Sequence, residues 1–366
     1  MALIKIENRK IGNNYPCFII AEAGINHNGS FELAKRMVDM AVRAGCDAIK
    51  FQTFKGEKMY PKTAGKYETD GKILDIYNEM KKIELPENWV KPLMKYCKNK
   101  KIIFFSSVSD IPSVDIMAKH KVSAYKLPSY DTTNLPLLEY TAKKNKPIIM
   151  SVGAAYMNEV DEAIRTVFRH NKNLAIIHCV TKYPAPLETC NLNVIETLRL
   201  AYPDLVVGYS DHTENPIKAP VAAIVKGAKL IEKHITLDKT MKGPDQRFAL
   251  NPEQLKLMVH AIRETEEKLA KGEKVKVDKI VLGSSKKEPT KTELYVRSFA
   301  YRSIFASRDI KKDERLNKEN IEILRNGQNK PGLLPKYYKL LIQKGYKVTR
   351  DIKEGRALTW DDLMQK

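Results

Sequence analysis

Residues 17–52 read CFIIAEAGINHNGSFELAKRMVDMAVRAGCDAIKFQ. An apolar run at 17–22 is followed at 31–45 by a stretch that sets Leu33, Met37, Met40 and Ala41 on one stripe and stops at Gly45. A second apolar run follows at 48–52. This is strand, helix, strand. Both runs are apolar nearly throughout instead of alternating, as befits strands buried on both faces. A parallel pair needs a helical crossover, and 31–45 supplies it. The unit recurs, with strand runs at 102–106, 124–127, 147–151, 174–179, 205–209 and 229–234. Amphipathic stretches lie near 87–99, 110–119, 134–145, 158–169, 191–202, 214–227 and 252–270. Eight such units in about 270 residues predict an α/β fold, a (β/α)8 barrel. A doubly wound sheet is the alternative, but no G-x-G-x-x-G follows the first strand. The connection at 53–86 is too long for a plain loop. In a barrel it sits on the active face as a lid or substrate wall.

The chain has 366 residues, 43% hydrophobic and 30% charged, which supplies a sizeable core and excludes a disordered chain. Charged residues interrupt every apolar run before membrane-span length, and no signal-peptide pattern opens the sequence, so a cytoplasmic protein without membrane contact is expected. The net charge of +20 is read chiefly as a lysine-rich surface. The sharper readings are a nucleic acid or a small anionic substrate. The five cysteines, none spaced C-x-x-C, fit reduced buried thiols. Three segments are expected: a barrel at 1–280, a linker at 281–294 and a small β-rich domain at 295–366. In the tail, Arg308–Leu316 resembles Arg350–Leu358, and each copy is followed by a helix-start pattern with Asn317 or Thr359 as N-cap.

Barrel chemistry collects at the C-terminal strand ends. There the sequence offers Glu22, Lys50 with Gln52, Ser106 with Ser107, Lys126 with Ser129, Ser151, His178 with Thr181, Ser210 with His212, and His234. Lys50 and Lys126 lie inside apolar runs, and a buried cation needs an anion or loses its charge. Two lysines and several hydroxyls on one face suit a phosphate or carboxylate. His212 and His234 end strands seven and eight, where neutral imidazoles can share one metal or serve as structural hydrogen-bonders. His27 and His178 are weaker candidates, and His120, His170 and His260 fall on helices at the surface. The residues alone support a metal-assisted lyase, aldolase or transferase acting on a phosphorylated carbon compound, with Glu22 as acid, base or hydrogen-bond acceptor.

Several motifs in order extend the reading. They are Ala21–Gly29, Lys50-Phe51-Gln52-Thr53, Tyr125–Ser129, His178-Cys179 with Tyr183-Pro184, Gly208–Thr213, Glu232-Lys233-His234 and Gly243-Pro244-Asp245. Together they resemble the sialic acid synthase family, and the tail resembles its antifreeze-like (SAF) domain. The resemblance implies condensation of phosphoenolpyruvate (PEP) with an N-acetylmannosamine-type sugar, giving a nine-carbon 2-keto acid (N-acetylneuraminate) and phosphate. A 2,4-diacetamido trideoxyhexose, as in legionaminate or pseudaminate synthesis, is the alternative acceptor. It further implies a divalent metal, Mn2+ or Mg2+, on His212 and His234. Lys50, Lys126, Ser129, Ser151, Thr181 and Ser210 would bind PEP. Glu22 would orient the aldehyde or assist proton transfer, and Asp131 would stand near the attacking water. Gln52, Tyr183 and Asp245 would contact the sugar. The implied assembly is a homodimer in which the SAF domain of one subunit caps the barrel of the other and Arg325 reaches the N-acetyl group. The sequence departs from the family pattern at Arg325–Gly332, Ser106–Ser109, Ser151–Ala154 and Cys179–Thr181. These positions face the sugar, so reaction type is firmer than acceptor identity. An aldolase or sugar isomerase on the same barrel would turn over without PEP. A nucleic-acid-binding or ice-binding protein would not need lysines and histidines at strand ends.

Overall fold

Eight parallel strands close into one barrel. They are β1 (Phe18–Gly24), β2 (Ala48–Thr53), β3 (Ile103–Val108), β4 (Tyr125–Leu127), β5 (Ile148–Ser151), β6 (Leu174–Cys179), β7 (Val206–Asp211) and β8 (Leu230–His234), paired in sequence order with β8 returning to β1. The computed structural model describes residues 2–69 and 72–363. All eight predicted strands and the eight helical stretches are present. Outward residues such as Ile19, Ile49, Ile176 and Ile231 pack under the helices in the main core.

The lumen is filled from the other residue of each pair. Phe18 and Ile20, Ala48, Ile103 and Phe105, Ala124, Ile149, Ile177, Val206 and Leu230 form a second apolar cluster at its lower end. Gly208 belongs to this layer by necessity, because a Cβ there would lie 2.6 Å from Leu230. A hairpin absent from the sequence reading, Leu3–Ile6 with Arg9–Gly12, closes the bottom by adding Ile4, Ile6 and Ile11. With the lower end plugged by apolar side chains, polar chemistry is confined to the top.

The 53–86 connection folds as a roof over that end. It holds a 3-10 turn (Gly56–Lys58), a hairpin (Lys66–Thr69 with Lys72–Asp75) and a short helix (Ile76–Lys82). Residues 281–294, expected as a linker, include the start of a helix, Lys291–Ala300, and lie docked on the barrel. Lys287 Nζ donates to the Ala155 carbonyl at 2.6 Å, and Glu293 Oε1 accepts from the Ala154 and Thr181 amides at 3.0 and 2.8 Å.

The tail contains β9 (Arg302–Ala306) and β10 (Ile321–Arg325), paired antiparallel. Its sequence repeat becomes a reciprocal pairing: Ile310 and Ile352 exchange two 2.8 Å backbone hydrogen bonds. The equivalent ion pairs Lys311–Asp351 and Lys353–Asp309 flank them at 3.0 and 2.8 Å. Thr359 caps a 3-10 turn, Trp360–Asp362, and Asn317 opens a turn, so the helices expected there are single turns.

This domain sits on the barrel of its own chain. Arg325 N donates to Met59 O and Gln328 N to Ala64 O, each at 2.8 Å, so cap and roof are hydrogen-bonded together. Within the single chain the docked 287–300 segment thus brings Arg302 and Arg325 to the barrel mouth.

Candidate active site

Strand periodicity decides what faces the lumen. Lys50 lies two residues after Ala48, Lys126 two after Ala124, Ser151 two after Ile149 and Ser210 two after Gly208, so each points inward one layer above the apolar plug. Glu22, Glu232, His212 and His234 follow the same rule. All line one cavity of about 410 Å3, within the roughly 300–1,000 Å3 of small-molecule sites.

The floor is a charge network. Lys50 Nζ is 2.6 Å from Glu22 Oε2 and 3.8 Å from Glu232 Oε2. Lys126 Nζ donates to Ser151 Oγ at 2.6 Å and lies 3.7 Å from Glu232 Oε1, which also accepts from Ser210 Oγ at 3.0 Å. Gln52 Nε2 donates to Glu22 Oε1 at 2.8 Å. Burial lifts the Glu22 carboxyl to about 7, with Lys50 opposing and Glu232 adding to the rise. Burial likewise pushes Asp245 up to about 6. Burial alone would depress Lys50, but Glu22, Glu232 and Asp245 outweigh it and hold the ammonium charged. Lys126 is lowered, because burial outweighs Glu232. An incoming dianion would supply the counter-charge that Lys126 has only at 3.7 Å.

The two histidines sit on the adjacent rim. Their rings are 5.4 Å apart. His212 Nδ1 lies 2.7 Å from the Val180 carbonyl and donates to it, leaving Nε2 as a lone-pair donor. His234 Nδ1 is buried without a hydrogen-bond partner, 3.5 Å from Asp245 Oδ2. Burial holds His212 neutral, at about 4, and lowers His234 as well. Neutral imidazoles with unengaged lone pairs are what a divalent cation requires. Among the described residues no third His, Cys, Asp or Glu completes a protein-only set, so substrate oxygens or water would fill the remaining positions. Tyr183 lies 4.0 Å from the His212 ring, centroid to centroid.

Twelve of the fourteen predicted site residues line this cavity: Glu22, Lys50, Gln52, Lys126, Ser129, Ser151, Tyr183, Ser210, His212, His234, Asp245 and Arg325. Two do not. Asp131 is fully buried and bonded to Arg302 of the cap, Nε to Oδ1 at 2.5 Å, so its carboxylate anchors the cap and does not line the cavity. Thr181 gives its amide and hydroxyl to Glu293, so it holds the connector and does not line the cavity. His178 faces outward against Tyr209, bonded to Cys190 O, and His27 packs on Trp89; neither lines the cavity.

A family model described as NeuB family matches residues 37–274. The chain belongs to the NeuB family. A SAF domain model matches residues 301–364 of the same NeuB-family chain. The spore coat polysaccharide biosynthesis protein SpsE of Bacillus subtilis is 46% identical over 100% of this chain and 98% of its own. Its crystal structure gives a TM-score of 0.90 at 44% identity, covering 100% of both chains. The N,N'-diacetyllegionaminic acid synthase of Legionella pneumophila is 36% identical, covering 97% of this chain and 99% of its own. The human N-acetylneuraminate-9-phosphate synthase is 37% identical, covering 71% and 73%.

The sequence reading of this NeuB-family chain quoted Glu232 in a motif but gave it no role, although its signal was present: if His234 faces inward, so does the residue two before it. Tyr60, Tyr130, Met80 and Phe299 also line the cavity. They come from the roof, a turn and the connector helix, and no periodicity marks them.

Proposed function

We propose that the chain is an N-acetylneuraminate synthase-type transferase. It condenses PEP with an open-chain N-acetylmannosamine-type sugar to give a nine-carbon 2-keto sugar acid and inorganic phosphate. The observation that carries the reading is the convergence of Lys50, Lys126 and three serines beside two neutral histidines in a single small cavity. Family membership and the synthase names of the relatives support it.

In this reading Lys50 and Lys126, with Ser129, Ser151 and Ser210, hold the phosphate and carboxylate of PEP and fix the face that C3 presents. A divalent ion, Mn2+ or Mg2+, held by His212 and His234 would supply Lewis-acid polarisation of the aldehyde. Glu22 lies beside Lys50 and is half protonated near neutrality, so it can donate to the aldehyde oxygen as that oxygen gains charge. The C3–aldehyde bond forms, water adds at C2, and phosphate departs with cleavage of the C2–O bond. Gln52, Tyr183 and Asp245 face the sugar, and the Arg325 guanidinium, over the Tyr130 ring at 4.8 Å, meets its acyl group.

The test is phosphate release from purified protein with PEP, Mn2+ and a panel of N-acetylated mannose derivatives. Release requiring both PEP and sugar supports the reading. No sugar-dependent phosphate from any panel member overturns it, and turnover without PEP would mark an aldolase or isomerase.

A further inference from the structure

The strands that end in the two histidines are joined by charge on their outer face. Asp211 and Lys233 are register partners across β7 and β8, and each comes immediately before a histidine in the chain. By the strand period of two they share the outward face with Tyr209 and Ile231 of the main core. Among the described residues they are the only Asp, Glu, Lys or Arg on the outer face of any barrel strand. Asp211 is 0% exposed and Lys233 1%. Two charges taken out of water add little stability over an apolar pair of similar volume, so stability alone does not account for them.

Their contacts do. Lys233 Nζ donates to Asp211 Oδ2 at 2.6 Å, to the Thr213 carbonyl, and to Thr213 Oγ1 at 3.4 Å. Asp211 Oδ1 accepts from the Thr213 amide at 2.9 Å and from the Tyr209 hydroxyl at 3.3 Å. Both main-chain groups of Thr213 are therefore held, the amide from β7 and the carbonyl from β8. His212 lies between Asp211 and Thr213, so its backbone is fixed on both sides. Half of that grip comes from the residue next to His234.

We propose that Asp211 and Lys233 are positioning residues for a divalent cation at His212 and His234. This rests on the metal reading in the proposed function. Neither residue lines the cavity, so the pair acts through the backbone, holding the two rings at their 5.4 Å separation. Among the described residues no third protein ligand draws the histidines together, so their spacing has to be set before the ion arrives.

The test is a Mn2+ titration of the full-length protein without substrates, followed by the electron paramagnetic resonance of free Mn2+, with urea unfolding of the metal-free protein alongside. Asp211→Asn with Lys233→Met removes both charges and keeps an acceptor for the Thr213 amide. Its Kd for Mn2+ is expected to rise at least about tenfold, the scale on which groups that orient metal ligands act. Ile231→Val trims the same outer face without touching the pair. It should lower the urea midpoint and leave the Kd unchanged. An unchanged Kd in the double variant overturns the proposal and leaves the metal site standing. Weakening of Mn2+ binding in both variants, in step with lost stability, also overturns it, because the pair is then only structural. No Mn2+ binding by the wild-type protein overturns the metal reading and the proposal together. If the double variant does not fold, Asp211→Asn alone decides, since it keeps the shape: a raised Kd supports the proposal and a wild-type Kd rejects it.

Discussion

Arg302 of the cap and Asp131 of the barrel form a fully buried ion pair, Nε to Oδ1 at 2.5 Å. The guanidinium also donates to Lys58 O at 2.8 Å and Ser109 O at 2.6 Å, so one side chain joins cap, roof and two barrel loops. Removing one member strands a buried charge. Arg302→Leu is expected to cost about 3–5 kcal/mol in urea unfolding, with Asp131→Asn costing less because it keeps the shape. In the residual activity, KM for the sugar should rise far more than KM for PEP, since the lysine floor does not depend on the cap. Equal effects on both would place Asp131 in the chemistry after all.

If the cap closes its own barrel, as the contacts within one chain allow, a barrel lesion and a cap lesion should not rescue each other. Glu22→Ala and Arg325→Ala chains, co-expressed, are expected to be as inactive as either alone. Recovered activity would require the cap of one chain to serve the barrel of another.

Glu293 is the fastening of the connector. Its carboxylate accepts from Ala154 N, Thr181 N, Thr181 Oγ1 and Thr290 N, the last at 2.9 Å from Oε2. Glu293→Ala leaves buried donors unsatisfied and should cost about 3 kcal/mol or more, with Glu293→Gln milder because an amide oxygen still accepts. Truncation after residue 285 removes the same acceptor, so a barrel cut there should unfold at lower urea than the intact chain, as well as losing sugar use.

Glu22 makes activity pH-dependent near neutrality. Its carboxyl titrates at about 7, raised by burial, and only the protonated form can donate to the aldehyde oxygen. The rate is expected to fall as pH rises through about 7, and this step should vanish in Glu22→Gln. A rate that rises through the same region would make Glu22 a base.

His234→Ala should abolish metal-dependent turnover in a Mn2+ titration while leaving thermal unfolding nearly unchanged, because its Nδ1 makes no hydrogen bond in the fold. Metal-dependent activity that survives the substitution rejects the ligand role.

Much of the barrel and its floor was legible before the structure. Runs such as AIKFQ and LAIIHC are long enough to identify strands, and the period of two sends Lys50 and Lys126 inward once Ala48 and Ala124 are placed. The same rule would have found Glu232. It could not assign Asp131 or Thr181, which lie past strand ends, where no periodicity operates and a partner far along the chain decides the role. The N-terminal hairpin escaped notice because four-residue strands carry little signal of their own. The start of the 291–300 helix was obscured by the polar stretch around it.

The sequence by itself determined the barrel, the layer of cations and histidines at its top, and the repeat in the tail. Each follows from local spacing that backbone geometry converts directly into direction. Only the tertiary structure decided that the cap bonds to the roof over the barrel mouth, that Arg302 pairs with Asp131, and that apolar residues of the roof face the polar floor. Those outcomes depend on contacts between residues far apart in the chain, such as Arg302 with Asp131, 171 positions apart, and Arg325 with Met59, 266 apart (325 − 59). They are set by packing and charge neutralisation in the folded chain, and no local pattern encodes them.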